Sequence, residues 1–164
     1  MSLLEFNAAP DDVASEMLTA CCDVPSWVEV VREGRPYADA GAALELADKA
    51  ARSFTTEDVD RALAAHPRIG ERAAGSGTEA AWSRQEQSGV SRDAGTQEQL
   101  AEGNRAYEAK FDRVFLICAS GLSGEQILTS LRSRLDNDAV TESAVVADEL
   151  RKIALLRLER LLDS

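Results

Sequence analysis

Helical spacing constrains the fold of this chain more than any other feature of its sequence. Apolar residues recur at the spacing of helical turns, as in the series Leu100, Tyr107, Phe111 and Val114, which Asn104 interrupts. Runs that alternate apolar and polar residues stay short, and no hairpin signal separates them. Aromatic residues make up only 5% of the chain, while alanine and leucine are abundant, which favours helices over sheets. The sequence therefore predicts an all-α protein.

Eight helices are predicted, joined by short connections. Pro10 and the Ser123-x-x-Gln126 capping box mark helix starts, and Gly34 and Gly121 mark helix ends. The predicted helices cover residues 11–22, 25–34, 38–53, 55–66, 78–87, 96–119, a stretch that follows Ser123, and 142–162, with a glycine-containing loop at 71–77. A chain of 164 residues without linkers or repeats suits one domain. We therefore expect a single-domain bundle of about eight helices over residues 1–164.

Net charge limits the partners of this chain. The formal charge is −11 and no basic cluster is present, so nucleic acid and anionic membranes are unfavourable partners. No stretch approaches the roughly 18–20 apolar residues of a membrane span. Residues 1–10 lack the basic and apolar regions of a signal peptide, and the last residues are not a peroxisomal address. We expect a cytoplasmic protein.

The cysteines indicate a reduced chain without a metal site. Cys21 and Cys22 are adjacent and Cys118 brings the count to three, which is not a disulfide framework. No chelating CxxC or HxxxH spacing occurs, so no metal is expected. Cys118 falls on an apolar helical stripe and is predicted to be a small core residue.

His66 is the only histidine of the chain, and histidine is the side chain that exchanges protons near neutral pH. Pro67 disfavours helical geometry at His66, which should therefore lie where a helix ends, and Gly70 permits a further turn. A side chain on such a corner can project into a cleft and act in catalysis. The alternative is a histidine that interacts with the last carbonyls of its helix.

Ser83, Glu86 and Gln87 share one face of a predicted helix. Such a trio is often a solvated surface, but its hydroxyl, carboxylate and carboxamide groups can also bind a polar heterocycle. A carboxylate near His66 would orient the imidazole and raise its basicity.

Two arginines of the last predicted helix occupy apolar positions. Arg157 falls between Ile153 and the leucines at 150 and 161, where its charge needs a partner or a pocket wall. Arg151 falls in another apolar sector, so periodicity does not choose between the two.

Several short strings are spread over nearly the whole chain. The strings are Phe6-Asn7-Ala8-Ala9-Pro10, Cys21-Cys22 with Trp27-Val28, Arg35-Pro36, His66-Pro67-Arg68-Ile69-Gly70, Ser83-Arg84-Gln85-Glu86-Gln87, Asn104-x-x-Tyr107-x-x-Lys110-Phe111, residues 115–121 and Lys152-Ile153-x-x-x-Arg157-Leu158. Together, and in this order, they resemble the 2-oxo-4-hydroxy-4-carboxy-5-ureidoimidazoline (OHCU) decarboxylase family, in its stand-alone form.

The resemblance implies an all-helical, cofactor-free homodimer that converts OHCU to (S)-allantoin, the last step of the route from urate to allantoin. It implies His66 and Glu86 as catalytic residues and assigns substrate binding to a C-terminal arginine, which selects Arg157 over Arg151. The other residues implied to bind substrate or line the pocket are Pro67, Ser83, Gln87, Ile117, Cys118 and Ala119.

Two other functions are compatible with parts of the sequence. Composition alone fits a non-catalytic acidic helical interaction module equally well, which would expose an apolar patch instead of a polar pocket. A lyase or hydrolase of the same fold with a shifted substrate is the other alternative.

Overall fold

The computed structural model describes residues 1–70, 77–90 and 94–163. These residues form nine α-helices and no named strand; the β-pairing among them is an isolated bridge between Ser2 and Asp163. The helices are α1 (Leu3–Ala8), α2 (Asp11–Cys21), α3 (Pro25–Glu33), α4 (Ala40–Ala51), α5 (Thr56–Leu63), α6 (Thr78–Glu86), α7 (Ala94–Phe111), α8 (Gly124–Arg134) and α9 (Ala139–Leu162). The prediction of an all-α fold is confirmed.

Eight of these helices correspond to the predicted ones, and local capping explains most of their limits. Ser123 accepts from the N–H of Gln126 at 3.2 Å, which confirms the capping box of α8. Helix α9 begins three residues before the predicted start because Asp138 accepts from the N–H of Thr141 at 2.7 Å. The predicted loop at 71–77 lies outside the described residues except for its last position.

One helix was missed and another was predicted too long. Helix α1 is a short additional helix opened by a Ser2–Glu5 capping box. Helix α7 ends at Phe111 and not at Ala119, because Asp112 adopts a left-handed φ of 54° that the helix cannot accommodate. Residues 113–119 continue without regular secondary structure, so Cys118 does not lie on a helical stripe as predicted; it is half-buried.

The described chain divides into two compact units. The first comprises residues 1–62 and 150–164, and the second residues 63–149. The core of the first unit is formed by small and aliphatic side chains around one tryptophan, including Leu18, Trp27, Ala47 and Leu158. Trp27 Nε1 donates to Ala47 O at 3.0 Å, so its one polar atom is satisfied inside this core.

The second unit has its own core, built largely on α7, α8 and residues 115–119. Its buried apolar residues are Ile69, Val90, Leu100, Tyr107, Phe115, Ile117, Ala119, Ile127, Leu128 and Leu131. The ring of Tyr107 contacts that of Phe115 edge-on, with 5.2 Å between centroids. In the described part of the chain, no helix is long and apolar enough to cross a membrane.

Candidate active site

His66 lies three residues after the last residue of α5, Leu63, where the chain has left the helix as Pro67 was predicted to require. The N–H of His66 donates to Leu63 O at 3.0 Å, and residues 66–68 have no regular secondary structure. His66 and Pro67 are half-buried. Gly70 has a φ of 92°, a conformation that favours glycine. The predicted helix end and second turn are therefore confirmed.

Helix α6 carries the Ser83, Glu86 and Gln87 trio. Ser83 is 3% exposed and Glu86 7% exposed, so they do not form a solvated surface. Gln87 closes the helix, and its N–H donates to Ser83 O at 3.2 Å. A buried hydroxyl and a buried carboxylate on one helix are costly unless they are paired or functional, which makes this face a candidate site.

Two carboxamides hold the turn that follows His66. Gln87 Oε1 accepts from the N–H of Gly70 at 3.1 Å. Asn104 of α7 lies on the buried side of that helix, and its Nδ2 donates to Ile69 O at 2.9 Å. The structure thus brings the end of α6 and the middle of α7 to the backbone of the His66-to-Gly70 string.

A buried ion pair holds the 115–119 segment. Arg134 Nη1 donates to Leu116 O and Arg134 Nε donates to Glu142 Oε1, each at 2.7 Å. Glu142 is 1% exposed and also accepts from the hydroxyl of Tyr107 at 2.8 Å. Burial, followed by this carboxylate, raises the pKa of the Tyr107 hydroxyl, which stays protonated as a donor.

The backbone of the three predicted pocket-lining residues lies in this segment. Ile117 and Ala119 are buried. The N–H of Cys118 points to Glu149 Oε1 at 3.4 Å. A segment without regular secondary structure leaves available backbone N–H and C=O groups that a helix would have used internally, so it can offer hydrogen bonds to a ligand.

Arg157 and Arg151 differ in their surroundings. Arg157 is 1% exposed, and its Nη1 donates to Ala20 O at 3.2 Å within the first unit. Arg151 Nη1 forms an ion pair with Asp48 Oδ1 at 2.7 Å. This hydrogen bond and a second arginine lower the pKa of Asp48. Arg151 is thus engaged in a partly exposed ion pair, whereas Arg157 occupies the buried position that helical spacing predicted.

The predicted site residues divide between the two units. His66, Pro67, Ser83, Glu86, Gln87 and residues 117–119 belong to the second unit, and Arg157 belongs to the first. A cavity of about 240 Å³ on the α7 side of the turn is lined by Arg68, Ile69, Gly70, Gln97, Ala101, Asn104, Arg105 and Glu108. It contains none of the predicted site residues, so it is not the predicted site.

Sequence reasoning assigned no role to Asn104, Arg134 or Glu142. Asn104 had a detectable signal, because an asparagine between Leu100 and Tyr107 on an apolar stripe needs a polar partner. Arg134 had a similar signal, since it continues the buried series Ile127 and Leu131 on α8. Their partners lie 8 to 35 residues away in sequence, and spacing along one helix does not reveal such pairs.

Comparison with known proteins identifies the family. The OHCU decarboxylase family model matches residues 7–159. The chain is 30% identical over 138 residues to 2-oxo-4-hydroxy-4-carboxy-5-ureidoimidazoline decarboxylase of Amia calva, covering 82% of this chain and 79% of that protein. It is 26% identical over 160 residues to the Haloferax volcanii decarboxylase, covering 96% and 94%.

A longer relative and two solved structures agree with this result. The chain is 27% identical over 154 residues to the Arabidopsis thaliana uric acid degradation bifunctional protein TTL; the match covers 92% of this chain and 48%, about half, of that protein. A crystal structure of OHCU decarboxylase in the presence of (S)-allantoin matches with a TM-score of 0.76 and 26% identity, over 95% of this chain and all of that one. A crystal structure of (S)-allantoin synthase matches at 0.73 over 100% and 55% of the two chains; at 14% identity this shows the fold alone.

The all-helical fold, the family match and the matched OHCU decarboxylase structure define a lyase of the decarboxylating class. The chain belongs to the OHCU decarboxylase family. Membership in a family of enzymes argues against the non-catalytic interaction module that composition alone allowed.

Proposed function

We propose that this chain decarboxylates OHCU to (S)-allantoin without a cofactor, as the last step of urate degradation to allantoin. The observation that carries the proposal is the family match over residues 7–159, which includes all nine predicted site residues. The relatives named as OHCU decarboxylases and the structure obtained with (S)-allantoin support the same substrate class.

The substrate's own chemistry supplies the electron sink. OHCU carries its carboxylate on a ring carbon next to a C=N group. When the bond to the carboxylate breaks, carbon dioxide leaves and the electron pair moves into the C=N system. A proton must then reach the ring on one face to give the S product. The enzyme therefore needs to orient the ring and to control proton transfer.

His66 is proposed as the acid/base group that acts on the substrate hydroxyl or on the developing anion. Glu86, buried on α6, is proposed to orient the imidazole and set its tautomer. Ser83, Gln87 and Arg157 are proposed to bind the ring and ureido groups, with Pro67 against the ring. The backbone of Ile117, Cys118 and Ala119 is proposed to line the pocket.

The test is circular dichroism of the product formed from freshly generated substrate, supplied by urate oxidase and hydroxyisourate hydrolase in the cuvette. Spontaneous decay gives racemic allantoin and no lasting signal. Wild-type protein should give a rapid (S)-allantoin signal. His66→Ala and Glu86→Ala should reduce the rate by about 10²–10⁴-fold. Glu102→Gln, which changes an exposed carboxylate of α7, is the matched control and should behave as wild type.

Three outcomes would count against these assignments. A folded wild-type protein that does not accelerate the reaction would contradict the activity. Near-normal rates for both His66→Ala and Glu86→Ala would contradict the catalytic pair. Arg157→Leu should mainly raise KM, and an unchanged KM would contradict its binding role.

We also propose that the protein is cytoplasmic, homodimeric and a single folding domain over residues 1–164. The three cysteines, Cys21, Cys22 and Cys118, form no disulfide among the described residues, which fits a reducing compartment. One family model that matches residues 7–159 supports a single domain. Sedimentation equilibrium tests the dimer, and one calorimetric unfolding transition, as opposed to two, tests the single domain.

A further inference from the structure

The turn that follows His66 is held at two adjacent backbone groups by side chains from two helices. Asn104 Nδ2 of α7 donates to Ile69 O at 2.9 Å, and Gln87 Oε1 at the end of α6 accepts from the N–H of Gly70 at 3.1 Å. We call these two contacts the carboxamide clamp. The clamp acts on residues three and four positions after His66, in the segment that carries this side chain out of α5.

The chemistry of the backbone fixes the orientation of each carboxamide. The amide of Gly70 can only donate, so the carbonyl oxygen of Gln87 must face it. The Nε2 group of Gln87 is then left over, and none of the described residues accepts a hydrogen bond from it. The carbonyl of Ile69 can only accept, so Nδ2 of Asn104 must face it.

Asn104 occupies its position at a cost to the fold. It is 5% exposed, and its Oδ1 is buried without a donor among the described residues. A buried acceptor without a partner destabilises the native state. An apolar residue between Leu100 and Tyr107 would avoid that cost. The position therefore requires the donor that reaches Ile69.

We propose that Asn104 is a positioning residue for His66, and that the carboxamide clamp leaves Gln87 to meet the substrate as a hydrogen-bond donor only. Gln87 then recognises an acceptor of the substrate, a carbonyl or carboxylate oxygen. The inference rests on the proposed function for its effect on turnover, but the position of His66 is measurable without substrate.

The single histidine makes that measurement direct, because the tag-free chain gives one imidazole Hε1 resonance. Asn104→Ala should shift or broaden this resonance at fixed pH. It should also lower kcat on the order of 10- to 100-fold with KM within about twofold, since small displacements of a reacting group are costly. If Asn104→Ala does not fold, Asn104→Asp keeps the size and removes the same donor.

Asn7 offers a matched control in the first unit. Its Nδ2 donates to Tyr37 O and its Oδ1 accepts from the N–H of Tyr37, each at 2.9 Å. Asn7→Ala removes a comparable carboxamide–backbone pair and should leave the His66 resonance and kcat unchanged. An unchanged resonance and kcat in the Asn104 variant, or equal losses in both variants, would overturn the positioning role.

Gln87→Glu separates the two roles of Gln87. The glutamate keeps an oxygen for the N–H of Gly70 but offers the substrate a second oxygen in place of a donor. We expect KM to rise about tenfold or more. A wild-type KM would overturn the donor role. If wild-type protein itself fails to accelerate decarboxylation, the proposed function fails, and the His66 resonance alone still decides the positioning role.

Discussion

The two units of this protein differ in what they bury. Among the described residues, two charged side chains of the first unit are largely buried, Arg157 and Arg35, the latter with 8% of its side chain exposed. The rest of that interior is alanine, leucine, valine, cysteine, one isoleucine and a few aromatic residues. The other buried polar or charged residues belong to the second unit: Ser83, Glu86, Asn104, Arg134, Glu142 and Glu149.

This difference indicates that the two units contribute differently to the protein. Apolar burial stabilises without directional demands, whereas every buried polar group must find a partner and so fixes a particular geometry. The second unit accepts that cost around the residues that are proposed to handle protons. The first unit contributes stability and two largely buried cations, Arg35 and Arg157.

The largest expected effect is on the buried ion pair of the second unit. Arg134→Met should destabilise the protein by about 3–5 kcal/mol, because it leaves the carboxylate of Glu142 buried without its cation. Urea unfolding monitored by circular dichroism measures this. The double variant Arg134→Met with Glu142→Leu should recover a large part of the loss. Asn137 Nδ2 also donates to Glu142 Oε2, at 3.1 Å. A single variant that loses less than about 1 kcal/mol would show that Tyr107 and Asn137 alone compensate Glu142.

An apolar truncation in the first unit should affect stability without affecting chemistry. Leu18 is fully buried, and Leu18→Ala should cost about 2–5 kcal/mol through lost burial and a cavity. In the folded fraction, kcat should remain at the wild-type value. A kcat that falls in proportion to the lost stability would argue against the division between the units.

Asn7→Ala should cost more stability than Asn104→Ala, whereas Asn104→Ala should cost more activity. Asn7→Ala removes two hydrogen bonds and should cost about 2 kcal/mol. Asn104→Ala removes one hydrogen bond together with an unpartnered acceptor, so its net cost should be about 1 kcal/mol. Thermal melts measure the loss of stability, and kcat values measure the loss of activity, which should be larger for Asn104→Ala. If the same variant loses more of both, the two asparagines do not differ in role.

The smallest effect should come from the partly exposed Arg151–Asp48 pair. The hydrogen bond from Arg151 lowers the pKa of Asp48 in the folded chain. The pair therefore stabilises the fold fully at pH values above the carboxyl's pKa in the unfolded chain, about 3.9, and this effect is lost as the pH falls through the lower pKa of the folded chain. Arg151→Met should therefore cost less than about 1 kcal/mol at pH 7, and this cost should shrink as the pH is lowered below about 3.9. A cost that does not change with pH would mean that Arg151 acts by packing.

A structural feature could be predicted from the sequence when the residues that determine it lie close together along the chain. The end of α5 near His66 was predicted because Pro67 acts on its immediate neighbour. The burial of Arg157 was predicted because helical spacing holds along one element. The α8 start was predicted because a capping box spans four residues.

The errors arose where distant parts of the chain decide the outcome. The apolar run at 114–119 fits a helix as well as a buried extended segment, and spacing alone does not distinguish them. The left-handed conformation of Asp112 and the bond from Arg134 to Leu116 O accompany a segment without regular secondary structure. The carboxamide clamp was missed for the same reason, since Asn104 and Ile69 are 35 positions apart. Helix α1 was missed although Ser2 and Glu5 form a capping box, because a six-residue helix has little periodicity to detect.

Glu142 has a consequence for how this sequence can change over evolutionary time. Its carboxylate accepts from Tyr107, Arg134 and Asn137, so three side chains from different parts of the second unit depend on one residue. Substituting any one of these four residues leaves a polar group in a buried site without its partner, and the stability effects of such coupled residues are not additive. Single substitutions therefore pass through poorly folded intermediates that selection removes. Lineages of this protein should keep these four residues together or exchange them as a set.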